Sequence, residues 1–410
     1  MKKLLLVLLI LSLFINHLNA NEKDLHIIQK DKKEYRLLDK ESIQTRQQSQ
    51  KYDWISPIDL SGNIGRNHSF SDENSRNLNN KNTKSASIGF TQSIFESGGI
   101  GFKMDYADNR FKYEMLSWEN QNSQLIYTIY NTLLDIKKLK LEINQNDYRI
   151  VNKDIELIIK KIQYEAGKTD IIELNNAIMS KNLILKEEIA LKNSLKEKEQ
   201  ELAKYTDLKY DEIEILDFQE TNKDIFLDKN YSILEADAKV EMLNSEYKIK
   251  KSQYLPKLSL SAKASYSNQD EKFNSMINDT NKDDASSSGS LILSMPLYDY
   301  TKSSKIQESK IEVLKQKALV NDLKNETAFE YEQIFTKIDT YLKQNETINK
   351  NIKLYEELIG ANQISSEAGM TSKYDLEILE NTKTINEFDI LINKINILQQ
   401  YAKLYFKIKN

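Results

Sequence analysis

The sequence contains few residues that end helices. Its 410 residues include 10 glycines, 3 prolines and no cysteine, whereas average usage would give roughly 50 glycines and prolines together. Long segments therefore carry no helix breaker, which excludes a loop-rich β-sandwich, a collagen-like repeat and a proline-rich disordered chain. The lack of cysteine excludes disulfides, thiolate metal sites and a cysteine nucleophile. With only 3 histidines, we expect no histidine-based catalytic triad, no metal site and no cofactor.

Residues 1–20 have the pattern of a secretory signal peptide. Two lysines precede an apolar run at 4–15, and Ala20 is a small residue at the expected cleavage site. The alternative is an uncleaved anchor, but the run is shorter than the about 20 residues that span a bilayer. We expect cleavage after Ala20 and export. The formal net charge of −4 is spread along the chain and argues against a nucleic-acid partner.

Two segments, 104–166 and 302–367, are too long for the helices of an ordinary globular domain. About 60 helical residues span about 90 Å, and their apolar residues recur every seven positions, which implies a left-handed supercoil. Two stripes on the first helix favour a neighbour on each flank, as in a wall of helices; the alternative is one broad apolar face in a bundle. The stripes are Ile129, Ile136, Ile143, Ile150 and Leu157; Leu134, Leu141, Tyr148, Ile155 and Ile162; and, in the second segment, Ile306, Val313, Val320, Ile334, Tyr341, Ile348 and Tyr355.

Four shorter segments alternate between apolar and small polar residues, as strands do. They are 57–66, 86–97, 256–266 and 290–298, and polar loops at 67–85 and 267–289 join each pair. Each strand has about the length of a tilted membrane-spanning strand. Since four strands leave two open edges, which lipid does not tolerate, a membrane location requires several copies of the chain. The alternative is two soluble hairpins that pack on the helices.

The two halves of the chain share a turn sequence. Glu165-Ala166-Gly167-Lys168-Thr169 and Glu367-Ala368-Gly369-Met370-Thr371 each follow a long helix, and each glycine is followed six residues later by an acid, Glu173 or Asp375. A glycine directly after a helix suits a left-handed C-cap. We therefore expect two structural repeats, 21–226 and 227–410, with tip turns at 167–170 and 368–373 and an irregular linker at 206–227. Shorter helices are expected at about 22–50, 170–205, 228–253 and 374–409.

In this order of elements and in its duplicated turn, the chain resembles the TolC family of outer-membrane efflux and export channels. The resemblance covers nearly the whole chain after the leader. It implies a mainly α fold with a small membrane β part: as a homotrimer, a twelve-stranded β-barrel in outer-membrane lipid, continuous with a twelve-helix periplasmic α-barrel. It also implies two partners, a periplasmic adaptor (membrane fusion protein) and an inner-membrane RND or ABC transporter.

The resemblance also assigns roles to residues of the two tip turns. Glu173 and Asp375 would form acidic rings at the channel entrance, and the turns would contact the adaptor through Gly167, Lys168, Thr169, Gly369, Met370, Thr371 and Lys373. Local capping is the alternative role of the two acids, because Asp170 with Glu173 and Ser372 with Asp375 have capping-box spacing. Where the family often carries a basic residue shortly after the second glycine, this chain has Met370 and Thr371. Where it carries a second acid, this chain has Ile378.

The function expected from these features is a passive export duct in the outer membrane with a long periplasmic extension. It would serve a tripartite efflux pump or a type I secretion system. The alternative is a periplasmic coiled-coil structural or adaptor protein with a soluble β-domain. An enzyme is not expected, since the carboxylate pairs lie on solvated helix faces, and no phosphate-binding loop of the Walker type is present.

Overall fold

The computed structural model describes residues 26–69, 79–216, 218, 220–270, 282–367 and 372–409. Within these residues, the elements in chain order are α1 (Lys30–Tyr52), β1 (Asp59–Ser69), β2 (Asn79–Phe95), α2 (Gly99–Glu165), α3 (Ile171–Leu202), α4 (Lys223–Asp228), α5 (Tyr231–Ser252), β3 (Lys257–Asp270), β4 (Lys282–Ser294), α6 (Lys302–Glu367) and α7 (Lys373–Phe406). The expected signal peptide, 1–20, lies outside the described residues. No helix in the described part of the chain is both long enough and apolar enough to cross a membrane.

The chain divides into two compact units. The first, called here the helical unit, holds the described residues of 1–40, 116–234 and 321–410; the second, the sheet unit, holds those of 41–115 and 235–320. Helices α2 and α6 each run through both units without a break, as expected from the absence of proline in the two segments.

Within the helical unit, α2 has a neighbour on each flank. On one flank the Asn146 amide donates to the Ile184 carbonyl of α3 at 3.3 Å. On the other, the Tyr148 ring lies 6.0 Å from that of Phe388 in α7. This part of α2 thus has a neighbouring helix on each flank, as the two stripes favoured. Ile136, from the first stripe, is fully buried.

The apolar stripe of α6 is also its buried side, since Val313, Val320 and Ile334 are each less than 8 % exposed. Thr327, the polar break in this stripe, is buried as well. A core cluster joins α4, α6, α7 and the chain beyond α7; it consists of Phe226, Ile334, Ile338, Leu404 and Ile408. The described chain ends against 229–231, where Tyr231 N–H donates to the Lys407 carbonyl and Lys409 N–H to the Lys229 carbonyl.

The sheet unit contains one antiparallel sheet in the order β1-β2-β3-β4. One line of facing residues runs from Asp59 to Gly89, Lys263 and Ser288 across all four strands. Because side chains alternate between faces, the line beginning at Leu60 belongs to the other face. Gly89 lies where a Cβ atom would come within 2.9 Å of the Ala262 carbonyl oxygen, so glycine permits the close approach of β2 to β3.

Several predicted boundaries were wrong. All four strands reach further toward the loops than the alternation indicates: β2 begins at Asn79 and β3 continues to Asp270. The described residues of the loops predicted at 67–85 and 267–289 therefore belong to strands. Helix α2 begins at Gly99 rather than at 104, and the linker predicted as irregular at 206–227 contains the start of α4. Pairing with neighbouring strands supplies hydrogen bonds that override weak local preference.

Candidate functional site

The first tip turn is a Schellman motif that depends on glycine. Gly167 has φ of +69°, a left-handed conformation that residues with a Cβ rarely adopt. Its N–H donates to the Tyr164 carbonyl at 2.9 Å, and Lys168 N–H donates to the Gln163 carbonyl at 2.8 Å. These two bonds satisfy carbonyls at the end of α2 that have no partner within the helix. The chain can therefore leave α2 and start α3 after a very short turn.

Asp170 and Glu173 both act locally at the start of α3. Asp170 is the N-cap, and its Oδ1 accepts from Glu173 N–H at 2.9 Å, as the capping interpretation expects. The Glu173 carboxylate lies 3.1 Å from Lys160 Nζ, with about half of its side chain exposed. An exposed pair of this kind stabilises by about 0.2–1 kcal/mol. Glu173 therefore remains accessible to solvent while bound to α2, and its membership of an acidic ring stays a prediction.

Of the second tip turn, only Ser372 and Lys373 lie within the described residues. Gly369, Met370 and Thr371 lie outside them, so their expected adaptor contact stays a prediction. Ser372 is the N-cap of α7, but its Oγ accepts from Tyr374 N–H at 3.2 Å rather than from Asp375 N–H, which donates to the Ser372 carbonyl. Asp375 is exposed, and the Lys373 ammonium lies 5.5 Å from the centre of the Tyr374 ring.

Ion pairs of alternating sign connect α2 to α3 above the first tip turn. Read away from the turn, α2 contributes a cation, an anion, a cation and an anion, and α3 contributes the opposite charges. The pairs are Lys160–Glu173 at 3.1 Å, Asp154–Lys181 at 2.5 Å, Arg149–Glu187 at 3.5 Å and Asp135–Lys198 at 3.3 Å. Each pair alone is weak. The alternation nevertheless fixes register, because a slip of α3 by one pair would place like charges together.

The contact of α2 with α7 includes hydrogen bonds from amide side chains. Gln145 Nε2 donates to Asp389 Oδ1 at 2.7 Å and to the Ile385 carbonyl at 2.9 Å. Asn381 Nδ2 donates to Asn152 Oδ1 at 2.9 Å. Helix α2 thus forms ion pairs with α3 and amide hydrogen bonds with α7. Neither set was identified from the sequence, because the partners are distant in the chain and only the apolar stripes have a visible period.

A half-buried carboxylate ties α6 to α7 in the helical unit. Glu330 accepts from Lys403 at 2.7 Å and from Lys407 at 2.5 Å. Burial alone would raise the pKa of Glu330, but the hydrogen bonds and charges of the two lysines outweigh it and lower the pKa. The carboxylate is therefore ionised at neutral pH, and this cluster is structural in character rather than catalytic.

The sheet presents two chemically different faces. One carries exposed aliphatic side chains, among them Leu60 at 79 %, Ile64 at 68 % and Leu293 at 73 % exposure. The other is lined by hydroxyl groups that bond across strands, as in Ser61–Ser87 at 2.8 Å and Ser265–Ser286 at 2.8 Å. The alternation found in the sequence predicts this arrangement. Lys263 lies on the hydroxyl-lined face, in a shallow depression with Asp59 and Gly89.

The passage from strand to helix holds residues that sequence reasoning missed. After β2, Ser97 and Gly98 adopt φ of +51° and +88°, and the buried Glu96 pairs with Lys103 at 3.0 Å. The corresponding acid after β4, Asp299, accepts from Thr301 N–H at 2.8 Å. The available signal was an acid in the same place in both repeats, in Phe95-Glu96 and Tyr298-Asp299. Among the described residues, no group of acids or histidines is arranged to hold a metal ion.

In the described residues, each half of the chain contains a strand pair, a very long helix and a shorter returning helix. The four strands form one sheet with an exposed aliphatic face. Residues 224–403 match the family model described as Outer membrane efflux protein, so this part of the chain is similar to that family. Proteins of that family are channels of the outer membrane and not enzymes, which agrees with both expectations from the sequence.

Solved structures extend the likeness to nearly the whole chain. The outer membrane protein VceC of Vibrio cholerae is similar with a TM-score of 0.69 and 13% identity, over 90% of this chain and 91% of that one. The CmeC outer membrane channel of Campylobacter jejuni is similar with a TM-score of 0.71 and 12% identity, over 95% of this chain and 87% of that one. The MtrE outer membrane channel of Neisseria gonorrhoeae, in its open state, is similar with a TM-score of 0.67 and 11% identity, over 91% of this chain and 85% of that one. No curated protein sequence matches the chain.

Proposed function

We propose that three copies of this chain form a passive export duct of a tripartite efflux pump or a type I secretion system. The sheets of the three copies would close a barrel in the outer membrane, and their long helices would extend into the periplasm. An adaptor would join this duct to an RND or ABC transporter in the inner membrane, which supplies the energy. The chain has no loop of the Walker type with which to bind a nucleotide phosphate itself.

The sheet carries this proposal. Its aliphatic face is exposed and its opposite face is hydroxyl-lined, and moving one large aliphatic side chain out of water is worth about 1.5–3 kcal/mol. Lipid against the aliphatic face would recover this energy, while the hydroxyl face would line water. A lumen of serine and threonine discriminates little between solutes, so the choice of cargo would rest with the inner-membrane transporter.

The tip turns are the proposed adaptor contact. Within the first turn, Lys168 is exposed and the adjacent Ile171 and Ile172 are 58 % and 64 % exposed. Exposed aliphatic residues beside a charge suit a contact that forms with a partner and then opens. Opening of the mouth would then be a shift between closed and open states driven by adaptor binding. Glu173 and Asp375, both exposed, would give the mouth a negative potential that favours cations.

A periplasmic structural or adaptor protein is the second candidate, in which the aliphatic face would pack against another soluble protein. Fractionation separates the two. The duct predicts a protein in the outer-membrane fraction that migrates as a trimer without heating and as a monomer after boiling. A soluble periplasmic monomer would refute the duct. With the trimer established, Lys168→Glu should abolish export while leaving the trimer intact; export at the wild-type rate would refute the adaptor contact.

A further inference from the structure

The outer edges of the sheet carry information about how copies of the chain join. Within the described residues, β1 and β4 each pair on one side only, so the backbone groups on their other sides need partners. In hydrocarbon an unsatisfied backbone group costs several kcal/mol. If the proposed duct is correct, these two edges must pair with each other between copies. The structure restricts the register of that pairing to a single solution.

We propose that β1 of one copy pairs antiparallel with β4 of the next with Asp59 opposite Ser294. This inference rests on the proposed trimer and goes beyond it by fixing every facing pair. The pairs then run from Asp59 with Ser294 to Ser69 with Asp284. All eleven residues of β1 face residues of β4, and the two strands end together at their helical side.

The alternation of side chains between the two faces of the sheet is the first limit on the possible registers. Within one copy, the facing line that starts at Asp59 reaches β4 at Ser288. A displacement by an odd number of residues would turn the aliphatic face of one copy toward the lumen of the next. Only even displacements from Ser288 keep Leu60 on the same face as Leu291 and Leu293.

Strand tilt limits the displacement further. Crossing from β1 to the β1 of the next copy takes four steps of about 4.8 Å, or about 19 Å. A displacement of six residues, at about 3.3 Å each, gives a tilt of about 46°, and one of four residues gives about 35°. Barrel strands tilt by about 35–45°. A displacement of two residues gives a tilt of about 19° and one of eight gives about 54°, so displacements of zero, two and eight residues are excluded. Any displacement in the opposite sense would carry β1 past Lys282, the first residue of β4.

The prolines select between the two displacements that remain. With Asp59 opposite Ser294, Pro57 faces Pro296. Because neither proline has a backbone N–H, both strands stop donating hydrogen bonds at the same facing pair, and no strand residue beyond it is left unpaired. With a displacement of four residues, Pro57 would face Ser294, a residue that still belongs to β4, and the last residues of β4 would have no strand partner. Proline is confined to such strand ends because it cannot donate to a ladder.

Cysteine cross-linking tests this register directly, since the natural chain has no cysteine. The matched pairs are Asn63→Cys with Ser290→Cys, and Ser61→Cys with Ile292→Cys, all four on the hydroxyl-lined face. Exchanging the partners gives the mismatched pairs, Asn63→Cys with Ile292→Cys and Ser61→Cys with Ser290→Cys. Each substitution thus appears in one matched and one mismatched variant, so instability of a single substitution cannot imitate the result.

The expected result is a reducible covalent trimer from the two matched variants and at least roughly tenfold less from the mismatched ones, because a disulfide requires Cα atoms about 4.4–6.8 Å apart. A two-residue slip along the strand places them beyond about 8 Å. Ser61→Cys with Ser87→Cys, whose hydroxyls are 2.8 Å apart within one copy, is the control for oxidation and should give a cross-link within the monomer only.

Every other outcome overturns the register. Cross-linking of Ser61→Cys with Ser290→Cys would show a displacement of four residues, and cross-linking of Asn63→Cys with Ile292→Cys one of eight. Non-covalent trimers without any disulfide would show that the trimer exists but that β1 and β4 do not meet in this way. Absence of trimers in the wild-type protein would refute the proposed duct itself, and the register with it.

Discussion

Alanine should have opposite effects on local stability when it replaces two isolated glycines, Gly167 and Gly360. An added Cβ would meet nothing within 4 Å at either Gly167 or Gly360, so neither Gly167→Ala nor Gly360→Ala creates a clash. The backbone conformation at each glycine decides whether alanine destabilises or stabilises the local structure. Gly167 has φ of +69°, where alanine costs about 1–2 kcal/mol. Gly360 lies inside α6, where alanine is favoured over glycine by about 1 kcal/mol.

These energies correspond to about 5–30-fold changes in a local opening equilibrium. Hydrogen–deuterium exchange of the native protein should therefore show faster exchange at the amides of 167 and 168 in Gly167→Ala, and slower exchange around 360 in Gly360→Ala. Gly167→Asn is the matched control and should be milder, because asparagine tolerates the left-handed region better. If both alanine variants change exchange in the same direction, or if Gly167→Ala leaves it unchanged, the Schellman turn does not close α2 as described.

Three further expectations concern the mouth, the membrane and pH. Glu173→Gln combined with Asp375→Asn should reduce cation selectivity in planar bilayers, and unchanged selectivity would remove the acidic rings. Ile88→Arg, on the aliphatic face, should weaken outer-membrane assembly by up to about 2–4 kcal/mol, whereas the neighbouring Ser87→Arg should assemble; equal yields of trimer would contradict the assignment of faces. The pKa of Glu330 is lowered in the fold, so its stabilisation is complete above the ordinary carboxyl pKa and is lost as pH falls through the lowered value. Glu330→Gln should therefore flatten the decrease of unfolding temperature in acid, and an unchanged acid profile would contradict this role.

The parts of the fold that follow from chain-local chemistry could be predicted from the sequence. The lack of breakers and the seven-residue stripes locate α2 and α6, because both depend on residues near one another in the chain. The N-terminal part of β2 could not be predicted in this way. Residues 79–85 are rich in asparagine and lysine, which have weak strand preference, yet 79–85 pair with β1, and 82–85 pair with β3 as well.

The candidate site shows the same division. The Gly167 turn and its cap at Asp170 were predictable, since each involves residues a few positions apart. The partner of Glu173 is Lys160 on the preceding helix, and only the distance between antiparallel helices brings the two together. Glu96 and its bond to Lys103 depend on the φ angles of Ser97 and Gly98, which no periodic pattern encodes.

The charge ladder and the two stripes of α2 restrict how this chain can change in length. Inserting one residue into α2 would rotate everything beyond it by about 100°, which would turn Ile150 and Leu157 away from their seam and separate Lys160 from Glu173. Inserting seven residues changes the direction by only about 20°, and the ladder is restored if α3 gains seven residues as well. Insertions and deletions in these helices should therefore be inherited as paired heptads, so that the reach of the duct into the periplasm would grow or shrink in steps of about 10 Å.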